Sequence, residues 1–144
     1  MLSLVLSAVV LVAITMWIHA AGISALLRVF MKLHLRSPIR ARALMVILLR
    51  MIWWLVLLHI AEISVWAFFY LFHGCLPNAE AAFYFSGTTY TTVGYGDVVL
   101  AKPWRLLGPL EGLIGVLMCG LSTGYFFVVV SRLYQSLNIT TSEN

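Results

Sequence analysis

Charge is scarce in this chain. Only 10% of its 144 residues are Asp, Glu, Lys or Arg, against 62% hydrophobic residues. A soluble domain carries about a quarter charged residues, so a water-exposed globule is excluded and a membrane protein is expected. Cysteine is nearly absent, with Cys75 and Cys119 the two examples. That excludes a disulfide scaffold and a thiolate metal cluster. The two thiols fall at different depths and do not pair within one chain; a free thiol or a bridge between subunits through Cys75 are the readings left open. Paired carboxylates, a nucleophile with its base, a phosphate-binding glycine loop and metal-ligand spacing are all missing. An enzyme is therefore not expected, nor a cofactor.

What the chain does contain is three long apolar stretches, roughly 2–27, 43–72 and 106–130. Each exceeds the about 20 residues that a helix needs to cross a hydrocarbon core. The net charge of +4 is concentrated, because Arg28, Lys32, Arg36, Arg40, Arg42 and Arg50 crowd the first connection. Cations beside a short loop favour the cytoplasmic side, which puts the amino terminus and the 73–105 segment outside and Arg132 with the tail inside. Membrane lipids, not nucleic acid, are the partners this distribution suggests. The first stretch lacks the positive leader and the clear small-residue site of a cleaved signal peptide. One domain is expected: a first helix over 1–30, a basic turn over 31–42 with Ser37-Pro38, an outer helix over 43–72, an inner helix over 106–134 and a short tail over 135–144.

Between the second and third stretches, Pro77 is followed by Asn78, a suitable N-cap, and Glu80, a carboxylate placed at the positive end of a helix dipole. A helix over 79–91 would be about 20 Å long, too short to span, and is expected to enter and leave on one side. It leads into Thr91-Thr92-Val93-Gly94-Tyr95-Gly96-Asp97. Successive carbonyls can face one axis only if alternate residues adopt dihedrals that side chains resist, and Gly94 and Gly96 supply that freedom.

From residue 77 to about 134 the chain resembles the pore module of the simple bacterial potassium channels and of the two-pore-domain-like ion channel family. The resemblance rests on the Thr92–Asp97 run between two spans. It implies an all-α membrane protein with three transmembrane helices per subunit, a re-entrant pore helix and an extended selectivity filter, assembled as a homotetramer. The function implied is passive, potassium-selective conduction, with K+ held by the carbonyls of Thr92, Val93, Gly94 and Tyr95. A weakly selective cation channel and a non-conducting accessory subunit are the alternatives. The membrane implied is the bacterial inner membrane. Gly96, Asp97, Tyr84, Phe85 and Thr88 are expected to support the filter, with Tyr95 packed against Tyr84 and Phe85. Asp97 either meets ions directly or accepts a hydrogen bond behind the filter, with Tyr84 a candidate donor. The resemblance breaks at Thr88 and Tyr84, where the best-studied bacterial pores carry Glu and Trp, so their inactivation behaviour does not transfer.

Alignment with that family places Gly115 at a gating hinge, with close packing as the alternative. It also puts Val116, Cys119, Thr123 and Phe127 on one cavity face, Phe127 either forming a constriction or facing lipid. The first helix has no arginine ladder, which argues against voltage sensing. Intramembrane carboxylates are costly and invite a role. Glu62 lies in mid-span, where His19, His59 or a backbone group would satisfy it. Glu111 near the outer face either braces the filter's surroundings or sits at the interface. His73 is either an exposed loop residue or a group that titrates with external pH.

Overall fold

The structure is a computed structural model that describes the backbone of residues 2–34 and 41–142 and the side chains of residues 2–31 and 42–135. The expected basic turn, with Arg36, Ser37, Pro38 and Arg40, lies outside the described residues. Four helices form among those described: α1 (Leu2–His34), α2 (Ala41–Phe72), α3 (Ala79–Tyr90) and α4 (Leu107–Ser142). Three are long and apolar enough to cross a membrane, over Leu2–Met31, Arg42–Phe72 and Leu107–Gln135.

Local chemistry sets the helix ends. α2 contains neither Gly nor Pro and runs uninterrupted until Gly74, whose φ of 61° only glycine adopts freely. α3 starts where Asn78 accepts a 2.9 Å bond from the Ala81 amide, and it closes on Thr91 as its C-cap. α4 begins at Leu107, after a turn closed by the Trp104 amide on the Ala101 carbonyl and the Leu107 amide on the Trp104 carbonyl. It continues past Tyr134 to Ser142 because no Gly or Pro interrupts that stretch, so residues 135–142 of the expected tail are helical, and residues 143–144 lie outside the described residues.

α2, α3 and α4 form the body of the fold, and α1 lies along α2 and α4. One cluster gathers Trp66, Tyr70, Phe85, Leu107 and, from α1, Leu11. A second, at the other end, gathers Leu26, Phe30, Met51, Val129 and Leu133. In lipid the apolar effect does not drive helices together, so close fit and polar links must do it. Both are present. Leu58 fits against Gly22, where an added Cβ would lie 2.5 Å from a Leu58 methyl. Trp66 donates to the Thr15 hydroxyl at 3.0 Å, and Trp54 donates to the Gly22 carbonyl at 3.1 Å.

Candidate functional site

α3 is 12 residues long and delivers the chain to an irregular segment, Thr91–Val98, exposed along most of its length. Its first amides bond back to the helix, Thr92 to the Thr89 carbonyl at 2.9 Å and Gly94 to the Thr88 carbonyl at 3.0 Å. Beyond them the backbone alternates in hand. Thr92, Gly94 and Gly96 have φ of 62°, 48° and 80°, whereas Val93 and Tyr95 keep the ordinary negative sign. Alternating the hand residue by residue turns successive carbonyls toward one side instead of opposite sides. Glycine takes this conformation freely, but Thr92 is the one non-glycine among the described residues to do so, and a strained residue of this kind costs roughly 1–3 kcal/mol.

The far end of the segment is tied to the same helix. Tyr84 donates to Asp97 Oδ2 at 2.7 Å, and the Val98 amide donates to Asp97 Oδ1 at 3.1 Å. The Tyr84 hydroxyl holds the Asp97 carboxyl below the usual carboxylate range, and the same bond pushes the Tyr84 phenol up. Asp97 is exposed, so the bond is not a buried one. Thr88 turns its hydroxyl to the Tyr84 and Phe85 carbonyls. Phe85 faces away from the segment: it is buried and meets Tyr70 edge-on at 5.3 Å. Phe85 lies about 100° round the helix from Tyr84, so the two rings serve different faces. Tyr95 projects from the surface, 72% exposed.

Behind α3, two buried carboxylates hold this helix in place. Glu111 accepts from Tyr70 at 2.8 Å and from Ser86 on α3, which gives it the bracing position. Glu62 is met by His19 Nδ1 at 2.9 Å, by His59 Nδ1 at 3.5 Å and by the Tyr90 hydroxyl. Tyr90 and Ser86 were not legible as partners in the sequence. The available signal was length: α3 is short, and its last residue, Tyr90, reaches Glu62 in the middle of α2.

α4 carries two faces. Leu107, Glu111, Ile114, Met118, Ser122, Val129 and Leu133 are buried within the chain. Val116, Cys119, Thr123 and Phe127 share the exposed face. Between them, Gly112 and Gly115 let α4 approach the end of α3. A Cβ on Gly112 would lie 3.3 Å from the Thr89 carbonyl oxygen, and one on Gly115 only 2.0 Å from that of Tyr90. Close packing is what the structure assigns to Gly115. Burial pushes the Cys75 thiol up, and among the described residues both cysteines are free. His73 stacks on Phe69 at 4.1 Å.

A protein-family model described as "Ion channel" matches residues 53–132, more than half of the chain. No curated protein and no solved structure matches it.

Proposed function

The chain belongs to the ion channel family, and from that premise we propose that four copies surround a potassium-selective pore in which Thr92–Tyr95 of each contribute one quarter of the filter. The observation that carries this reading is the alternation of backbone hand at Thr92, Gly94 and Gly96. It suits a row of carbonyl dipoles that replaces the hydration shell of K+, whereas an ordinary strand would aim every second carbonyl away. One chain offers one such row, and encircling an ion requires several, which is why a closed homotetramer is part of the proposal.

Other features acquire a purpose in this arrangement. α3 is re-entrant, and its carbonyl end faces the cavity, where the negative end of a helix dipole favours a cation. The exposed face of α4 with Val116, Cys119, Thr123 and Phe127 lines the inner cavity. The basic connection between α1 and α2 is cytoplasmic, which places the Asp97 end of the filter outside.

The test is the reversal potential of the purified protein in a bilayer with K+ on one side and Na+ on the other. A shift close to the K+ equilibrium potential, lost in Gly94→Ala, is expected. A reversal near zero overturns selectivity, and a protein that is monomeric and silent points to an accessory subunit.

A further inference from the structure

A polar cluster sits where all four helices meet, and the ion pathway makes no use of it. His19 comes from α1, His59 and Glu62 from α2, Tyr90 from the end of α3, and Ser122 from α4. Glu62 is 0% and His19 3% exposed. The protons can be assigned from the partners. His19 Nδ1–H and the Tyr90 hydroxyl both donate to the Glu62 carboxylate. His59 Nδ1–H donates to the Tyr90 oxygen at 3.0 Å, and Ser122 donates to His59 Nε2 at 3.2 Å. Two features are left over. His19 Nε2 is buried with no hydrogen-bond partner, and the ion-pair partners of Glu62 among the described residues are the two imidazoles, with no Lys or Arg beside it. An ionised carboxylate at this depth is costly without a compensating cation.

The geometry points to a binding site for a first-row divalent metal ion, with Zn2+ the best match, formed by His19, His59 and Glu62. One donor atom from each of these residues lies within 4.8 Å of the other two. Zinc bonds of about 2.0–2.2 Å to nitrogen and oxygen require tetrahedral donors roughly 3.3–3.5 Å apart, so the three groups need only small movements to close on an ion. Two imidazoles and a carboxylate form a donor set zinc accepts, and its filled d shell imposes no further geometry. Each histidine frees Nδ1 by moving its proton to Nε2. For His59 the Ser122 oxygen then accepts a hydrogen bond from Nε2–H, the kind of outer partner that orients a metal-bound imidazole, whereas His19 Nε2 has no such partner among the described residues. Tyr90 continues to donate to Glu62.

Access is also present. His59 lines a crevice of about 340 Å3 between α2 and α4, bordered by Ser122, Cys119 and Thr123. Water or a hydrated ion reaching the exposed face of α4 therefore arrives next to His59, and a water from the crevice supplies the fourth ligand. Occupancy would tie α1 to α2 directly, and to the end of α3 through Tyr90.

The experiment uses the full chain, purified in detergent, dialysed against micromolar Zn2+ and analysed for metal by atomic emission. One zinc per chain is expected for the wild type and at least a fivefold loss in His19→Gln and in Glu62→Gln. Zinc content equal in wild type and both variants, or near zero in all, overturns the proposal, the latter leaving a proton as the cation of the cluster. Zinc-edge X-ray absorption on the wild type gives an answer that needs no variant to fold. Nitrogen and oxygen neighbours with imidazole scattering support the site, whereas sulfur at about 2.3 Å would assign the metal to a cysteine and refute it.

Discussion

Gly115→Ala gives the sharpest test of how the filter is seated. The added Cβ would lie 2.0 Å from the Tyr90 carbonyl oxygen, against about 3.3 Å for a close carbon–oxygen contact, so α4 and the end of α3 must separate by roughly 1.3 Å. The obstacle is backbone, which cannot turn aside as a side chain does. Overpacking of this kind costs up to about 3 kcal/mol, and the better helix propensity of alanine returns about 1, leaving a net loss of ~2 kcal/mol. Gly108→Ala is the control, because its new Cβ would meet only the Phe85 ring at 3.6 Å, an ordinary contact. Gly112→Ala, at 3.3 Å from the Thr89 carbonyl, should fall between them. Chemical unfolding in detergent should rank the variants Gly108, Gly112, Gly115 from most to least stable. The K+ over Na+ permeability ratio should fall in the same order, since Tyr90 lies two residues before Thr92. Equal unfolding midpoints for Gly115→Ala and Gly108→Ala would refute the close approach.

Three further outcomes follow from the same contacts. Tyr84→Phe removes the donor that lowers the Asp97 pKa; a depressed carboxylate stabilises above its unfolded value of about 3.9 and loses that contribution as pH falls through the folded value. Acid loss of K+ flux from liposomes should therefore begin at higher pH in Tyr84→Phe than in wild type, and identical profiles would remove Asp97 from filter support. Tyr70→Phe leaves Glu111 one partner short and should cost about 1–3 kcal/mol by thermal melting, whereas a melt unchanged from wild type would mean the bond contributes nothing. A charged thiol reagent should reduce K+ flux through Cys119 and lose its effect in Cys119→Ser, while Cys75→Ser should leave the block intact; block that survives Cys119→Ser would move the cavity face elsewhere.

The spans were legible because each is a long apolar run, and the start of α3 because Pro77, Asn78 and Glu80 are local signals. Helix ends were less so. Nothing in the apolar pattern stops α4 at Tyr134, and the structure carries it to Ser142. The alternation at Gly94 and Gly96 follows from residue type, but the positive φ of Thr92 does not, since threonine resists it. The buried polar contacts were the least legible. Glu62 advertised a need for partners and His19 and His59 were candidates, yet Tyr90 and Ser122 look like ordinary helix residues until four helices converge. For the same reason, His19, His59 and Glu62 show no metal-ligand spacing along the chain.

The links between α1 and α2 bear on the order in which the protein is built. α1 leaves the ribosome before α2, with His19 lacking its carboxylate and with Thr15 and the Gly22 carbonyl bonded only within their own helix. Trp54, Glu62 and Trp66, which satisfy them, all arrive with the next helix. The first two helices are thus matched as a hairpin before Tyr90, Glu111 or the Thr91–Val98 segment exists. α3 and α4 are then fitted against a pair already in place, and a helix outside the 53–132 match to the ion channel family is the one that prepares the ground for them.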